Sequence, residues 1–167
     1  MVLCKSIFTI NRIAFTLVFV LACSFTTCVR SIRHDQDSAA QRAVDFARAA
    51  MIQRDYSLAY QQLSPKWRKE LTVEALKDLV NRMHPTNWPR TIAATEYEPL
   101  PGRQAMKIFL YAREHGEDFV YTFVMEGTAD TGYKVSGVFR LPTPQAASPT
   151  RRQLPVQEST GRAPDRN

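Results

Sequence analysis

Cysteine is scarce in this chain of 167 residues, and its three copies are Cys4, Cys23 and Cys28. Residues 29–167 contain none, so that part of the chain can form neither an internal disulfide nor a cysteine-based metal site. The absence excludes the class of small secreted domains that are held together by disulfides. About 100 residues can bury a hydrophobic core that is large enough to hold a domain without such cross-links.

A concentrated block of positive charge is also missing. The net charge of +6 comes from 22 Lys and Arg against 16 Asp and Glu. The surplus is spread evenly, because residues 1–37, 38–141 and 142–167 each have a net charge of +2. A nucleic-acid-binding module would instead gather its cations on one face to offset several phosphates. We therefore expect no nucleic-acid partner.

Sequence motifs of catalysis are absent as well. The chain contains no HxH, HExxH or Gly-x-Ser-x-Gly motif and no glycine-rich phosphate loop. The three histidines are predicted to lie apart, in a stalk, at a helix end and in a hairpin turn: His34, His84 and His115. We expect no metal and no cofactor.

The carboxylates give no clear catalytic arrangement either. Glu96 and Glu98 alternate with Tyr97 on a predicted strand, which favours a solvent-facing position for both. Glu126 ends a predicted strand beside a glycine, at a rim, and Asp55 lies where a carboxylate commonly caps a helix. The sequence leans against an enzyme without excluding one.

The N-terminus resembles a targeting segment. An uncharged apolar run covers residues 13–22 and follows Lys5 and Arg12, which is the layout of a secretory signal. Three endings stay open: lipidation at Cys23, cleavage after Ser24, or retention of residues 13–29 as an anchor. Each places the rest of the chain outside the cytoplasm, in the cell envelope, either membrane-anchored or secreted. We assign residues 1–29 to this segment and 30–37 to a stalk.

Helical periodicity follows the stalk. Ser38 and Gln41 fit a capping box, which predicts a helix that ends near Arg54. A short helix is predicted over residues 58–63, and Ser64 with Pro65 predicts the start of another. Thr72 is the predicted cap of a further helix, which the pair His84-Pro85 ends.

From Thr91 onward the apolar period changes to two. It predicts strands over residues 91–98, 104–113, 118–126 and 133–141. Helices followed by strands joined by hairpins indicate an α+β domain over residues 38–141, with N-terminal helices packed on an antiparallel sheet of about four strands. Residues 142–167 contain five prolines and few bulky apolar residues, which predicts a disordered tail.

Two segments carry a resemblance to a known family. They are RDYSLAYQQLSP at residues 54–65 and GYKVSGVFRL at residues 132–141. In this order, with a helix between them, they resemble the nuclear transport factor 2-like superfamily, and in particular small bacterial envelope domains. The resemblance implies a curved sheet wrapped around helices as a cone whose open end can form a pocket. Members of that superfamily range from ketosteroid-isomerase-like enzymes to binding and assembly domains without catalysis.

Aromatic residues give the strongest functional hint. The candidate ligand-binding residues, around an apolar pocket or partner groove, are Tyr60, Trp67, Met83, Trp88 and Tyr111. Residues 84–90 are polar and contain Trp88, so we expect them at the rim. Ordinary core packing explains the same aromatic residues. The cations around Trp67 fit either a solvated helix face or contact with anionic headgroups.

Together these features predict an extracytoplasmic, membrane-tethered, non-catalytic domain that binds a small apolar ligand or a partner protein. Two alternatives stay open. One is a small isomerase or dehydratase that uses the cone cavity, and the other is a structural subunit of an envelope or secretion assembly.

Overall fold

The computed structural model describes residues 33–114, 117–141 and 148–160. These residues all belong to one compact unit of the chain. The targeting segment 1–29 and the lipidation candidate Cys23 lie outside the described residues. Parts of the stalk and of the tail, at 30–32, 142–147 and 161–167, lie outside them too.

Four α-helices lie between the stalk and the first strand. They are α1 (Gln36–Ala47), α2 (Tyr56–Gln61), α3 (Pro65–Glu70) and α4 (Val73–Met83). A π-helical segment, Arg48–Gln53, continues α1 and ends at Arg54, which has a φ of 58°. Across the described part of the chain, no helix is both long and apolar enough to cross a bilayer.

The first helix begins earlier than predicted. Its cap is Asp35, whose carboxylate accepts hydrogen bonds from the Ser38 backbone N–H at 3.0 Å and the Ser38 hydroxyl at 2.6 Å. These bonds hold the pKa of Asp35 below its ordinary value. The predicted capping box of Ser38 and Gln41 is therefore wrong, because a carboxylate three residues earlier already satisfies the free N–H. Residues 36 and 37 are helical and do not belong to a stalk.

The predicted caps of the later helices are confirmed, while α2 covers Tyr56–Gln61 and not residues 58–63. Asp55, Ser64 and Thr72 cap α2, α3 and α4, each by accepting a backbone N–H three residues further on. Pro65 occupies the first position of α3, where its missing N–H costs nothing. His84 follows the last residue of α4.

Five strands form one antiparallel sheet. They are β1 (Thr91–Pro99), β2 (Ala105–Glu114), β3 (Glu117–Thr128), β4 (Gly132–Leu141) and β5 (Arg152–Thr160). Their order across the sheet is β4-β3-β2-β1-β5. The α+β class and the four predicted strands are thus confirmed.

The fifth strand corrects two predictions, because the sheet has more than about four strands and residues 152–160 are not disordered. β5 pairs antiparallel with β1. Backbone hydrogen bonds between the two strands hold this segment in place, although it has few apolar side chains to bury. Leu154 is its one buried residue among those whose side chains are described. The Glu96 carboxylate also accepts hydrogen bonds from Arg151 at 3.3 Å and Gln153 at 2.8 Å.

One face of the sheet, the inner face, packs against α1 and forms the core. α1 presents buried alanines, including Ala40, Ala43 and Ala47, so its backbone can approach the strands closely. The inner-face residues of β2 and β3 are almost fully buried: Met106, Ile108, Leu110, Ala112, Phe119, Tyr121, Phe123 and Met125. This burial of large side chains is the main stabilisation of the domain.

A β-bulge changes the face that β4 presents. Met125 pairs with Val135 and Phe123 with Val138, so one extra residue lies between two inner-face positions of β4. The alternation in the sequence predicts that Tyr133, Val135, Gly137, Phe139 and Leu141 share one face of β4. The bulge instead turns Phe139 to the outer face, where it is 56% exposed.

Candidate binding groove

Two neighbouring cavities lie beside α3 and β4, and the second of them also borders α4. The larger, which we call the vestibule, has a volume of about 640 Å³. The second, which we call the groove, has a volume of about 510 Å³. Trp67 and Ser136 line both, so the two cavities adjoin at these residues.

The groove runs between α4 and the outer edge of β4. On the helical side it is lined by Leu71, which precedes α4 in an extended conformation, and by Ala75 and Leu79, which are four residues apart on one face of α4. Asp78 and Arg82 of α4 also line it. On the other side it is lined by the four consecutive residues 136–139 of β4. Since side chains alternate along a strand, four consecutive lining residues mean that the groove follows the strand edge. β4 is the edge strand of the described sheet.

The vestibule is polar and carries both signs of charge. Lys66 and Arg103 supply the cations, and Glu70 and Glu126 supply the carboxylates. All four side chains are exposed. Within the described ranges, none of the four forms a side-chain hydrogen bond or ion pair. Their charges are therefore available to a ligand.

Backbone contacts fix the position of Trp67. Ser64 N–H donates to the Val135 carbonyl at 2.8 Å, and Val135 N–H donates to the Gln62 carbonyl at 3.1 Å. The Ser64 hydroxyl then accepts the backbone N–H of Trp67 at 3.3 Å. The start of α3 is thus pinned against β4, which places the indole beside the strand edge.

A glycine shapes the far wall of the vestibule. Gly127 has a φ of 133°, and a Cβ there would lie 1.9 Å from the Gly132 carbonyl oxygen. A side chain does not fit at this position. The Gly127 N–H donates to the Gln104 carbonyl at 2.7 Å, which holds the loop between β1 and β2 against β3.

A second polar site lies on the inner face and is closed. His84 is 2% exposed and Tyr121 is fully buried, with 3.1 Å between His84 Nε2 and the Tyr121 hydroxyl. His84 Nδ1 lies 3.0 Å from the Asn87 carbonyl, which can only accept, so Nδ1 carries the proton and Nε2 accepts from Tyr121. Burial raises the pKa of Tyr121. Neither residue lines the vestibule or the groove.

The five predicted ligand-binding residues do not meet in one of these cavities. Trp67 lines both the vestibule and the groove. Tyr60 is half-buried, and its hydroxyl donates to the Arg68 carbonyl at 2.8 Å, which ties α2 to α3. The carbonyl of Met83 accepts a hydrogen bond from Arg140.

The other two lie elsewhere. Trp88 stacks on His84 with 4.9 Å between ring centroids, and the Arg54 guanidinium lies 4.2 Å from its ring centroid. Tyr111 pairs with Val120 on the sheet, and its hydroxyl accepts from Arg113 at 2.9 Å.

Glu96 and Glu98 lie on the outer face of the sheet, as predicted, but both are half-buried there because other residues cover them. Glu98 accepts hydrogen bonds from the Thr150 hydroxyl at 2.6 Å and from Lys107 at 3.3 Å. The pKa of Glu98 is lowered, first by the Thr150 hydrogen bond. Together with the Glu96 bonds above, these contacts hold residues 148–153, which we call the strap, across the outer face.

The strap covers part of the outer face. The Arg151 guanidinium lies 3.8 Å from the Phe109 ring centroid, and Phe109 is only 3% exposed. A cavity of about 400 Å³ lies beside this contact and reaches Phe139. Of the other two carboxylates, Asp55 caps α2 as predicted. Glu126 is exposed, but it does not end its strand, since β3 continues to Thr128.

Sequence reasoning missed the groove residues Leu71, Ala75, Leu79 and Phe139. The amphipathic spacing of α4 was visible, but it does not tell a face that packs on the sheet from one beside its edge. Arg103 in the vestibule had no sequence signal, because its position depends on the loop that Gly127 holds.

The described residues include no group of three or more His, Cys, Asp or Glu side chains that is placed to hold a metal ion. Comparison of the chain with protein-family models, with curated proteins and with solved structures finds no match.

Proposed function

We propose that this chain is an extracytoplasmic, membrane-tethered, non-catalytic domain that binds an apolar ligand in the groove. The supporting observation is the open, mainly apolar channel between α4 and the edge of β4, which Trp67 lines together with the charged residues Asp78 and Arg82. Cavities of roughly 300–1,000 Å³ with apolar walls and a few polar groups are typical of small-molecule sites. The extracytoplasmic location rests on the apolar run at residues 13–22.

We also propose that the domain is related to nuclear transport factor 2-like domains. Helices that pack on one face of an antiparallel sheet are compatible with that plan. In such a cone the ligand would enter between sheet and helices. In this chain the inner face near His84 is filled by Phe119, Tyr121 and Trp88, so the proposed site lies at the edge of β4 instead.

An isomerase-type activity is the weaker proposal. The hydrogen-bonded pair of His84 and Tyr121 favours it, because a buried histidine beside a phenol can move a proton. Against it, the pair is buried among aromatic rings, and a general acid or base needs its substrate within hydrogen-bond reach.

A partner protein is a second occupant that one observation favours. Because the groove follows the edge of β4, an extended segment of another chain could pair with that strand. A stoichiometric partner that co-purifies with the full-length chain, and is lost when Val138 is replaced by proline, would support an assembly role.

The apolar-ligand proposal is tested by filling the groove. Ala75→Trp places a large ring on the lining face of α4, while Lys77→Trp places the same ring at an exposed position of that helix outside the groove. With N-phenyl-1-naphthylamine, an uncharged fluorescent probe, we expect Ala75→Trp to weaken binding at least about tenfold. Lys77→Trp should bind as the parent protein does.

Thermal unfolding of both variants checks that each remains folded. Equal probe affinity for Ala75→Trp and Lys77→Trp, with both folded, would contradict the location of the site in the groove. No saturable binding to the parent protein would contradict the function itself.

A further inference from the structure

We propose that the ligand is a single-chain amphiphile with a zwitterionic headgroup, whose chain lies in the groove and whose headgroup lies in the vestibule. This inference rests on the proposed function, because it assumes that the groove takes an apolar chain. It adds the chemistry of the headgroup.

The vestibule has charged side chains of both signs. Lys66 and Arg103 offer donors to an anionic group, and Glu70 and Glu126 offer acceptors to an ammonium group. A headgroup with one charge of either sign would meet two side chains of the opposite sign and two of the same sign. A headgroup that carries a phosphate and an ammonium can face all four favourably.

The exposure of these side chains and the lack of an ion pair between them within the described residues also support a zwitterionic headgroup. Opposite charges that share a cavity commonly pair with each other. Here Arg103 and Glu126 stand in the same cavity without an ion pair in the part of the chain that the structure describes. Both are exposed, so a ligand can contact them without first breaking an internal contact.

The two cavities adjoin, as the two parts of an amphiphile require. Trp67 and Ser136 line both the polar vestibule and the apolar groove. A chain attached to a headgroup in the vestibule can therefore continue past the indole and along Leu71, Ala75 and Leu79. A purely apolar ligand would use the groove and leave the four charges without a role.

The first residue that the structure describes, Arg33, lies beside the loop that follows the vestibule residue Gly127. The Arg33 carbonyl accepts the Ala129 N–H at 3.2 Å, and Gly127, two residues earlier, lines the vestibule. The chain thus enters the domain at the end of the sheet that carries the vestibule. The apolar stretch of the sequence ends at Val29, only four residues before Arg33.

The test compares four amphiphiles with the same twelve-carbon chain by isothermal titration calorimetry, below their micelle concentrations. They are dodecylphosphocholine, dodecanoate, dodecyltrimethylammonium and dodecyl maltoside. We expect dodecylphosphocholine to bind about tenfold more tightly than the uncharged maltoside, and more tightly than either singly charged compound. Phosphocholine without a chain should bind far more weakly than dodecylphosphocholine.

Variants assign the preference to the vestibule. Arg103→Gln combined with Glu126→Gln should reduce the advantage of dodecylphosphocholine over the maltoside. Glu74→Gln combined with Lys77→Gln removes the same two charges from exposed positions on α4 that do not line the vestibule. This control pair should keep the advantage.

The outcomes separate the two proposals. Equal affinity for all four amphiphiles would overturn the headgroup inference and leave the apolar site intact. Tightest binding of dodecanoate or of dodecyltrimethylammonium would overturn it in favour of a singly charged head. Binding of none of the four would contradict the proposed function as well. If phosphocholine bound as tightly as dodecylphosphocholine, the dodecyl chain would contribute nothing to binding. That result would contradict an amphiphile as the ligand.

Discussion

The two tryptophans of the chain stand in opposite situations. Both are half-buried and both have cations nearby. Trp88 is engaged with His84 and Arg54, and His84 is in turn anchored to Tyr121. Trp67 lies beside the edge strand β4 and faces two open cavities. An aromatic ring next to positive charge is therefore a closed packing unit in one place and a candidate ligand contact in the other.

The difference comes from what lies next to each ring. The loop that holds Trp88 folds back onto His84, whose two ring nitrogens are both bonded. Trp67 sits on α3, whose start is pinned to β4 by the Leu63–Val135 bridge. Beyond that bridge, the described part of the sheet places no further strand on β4.

The largest expected effect comes from opening the closed site. Tyr121→Ala removes a fully buried ring and leaves His84 Nε2 without its donor, so we expect a loss of about 3–5 kcal/mol in unfolding free energy. Trp67→Ala should cost clearly less, since its ring already borders open space. Urea unfolding measures both. Equal losses at the two positions would break the contrast between them.

A smaller change isolates the hydrogen bond. Tyr121→Phe keeps the ring but leaves a buried acceptor unpaired, which costs about 1–3 kcal/mol. Tyr60→Phe is the matched control, because its hydroxyl donates to a backbone carbonyl near the surface, where water can replace the bond. We expect the control to lose less than half as much. A larger loss at Tyr60 would mean that the inner pair is not the tighter site.

The strap gives the smallest effect and a dependence on pH. Since hydrogen bonding lowers the folded-state pKa of Glu98, its contribution is present above the ordinary value of 4.5 and is lost as the pH falls below it. The contribution is roughly 1 kcal/mol or less, because its partners are partly exposed. Thermal unfolding between pH 6 and pH 3 measures it. In Glu98→Gln this part of the pH dependence should disappear, and an unchanged profile would contradict the role of Glu98.

Local patterns predicted much of the fold. The caps Asp55, Ser64 and Thr72 depend on contacts within three residues, and the alternation of β2 and β3 depends on one buried face. These elements could therefore be predicted from the sequence. By contrast, β5 depends on pairing with β1, more than 50 residues away, and its composition argued against burial.

The candidate site was less predictable for a similar reason. Trp67 was identified, but its neighbours in the groove come together only through the bridge of Leu63 to Val135 and the bulge in β4. A bulge of one residue moved Phe139 to the opposite face, and the sequence of β4 gives no local sign of it. His84 was read as a helix-end residue, because its partner Tyr121 lies 37 positions further along the chain.

We predict that the groove at Trp67 binds an apolar chain and that the site at Trp88 does not. The two indole N–H signals in a ¹H–¹⁵N spectrum report on each site separately, since the chain has only two tryptophans. On titration with dodecyl maltoside, we predict saturable shifts of the Trp67 signal and an unchanged Trp88 signal. Shifts at Trp88 with none at Trp67 would contradict the account.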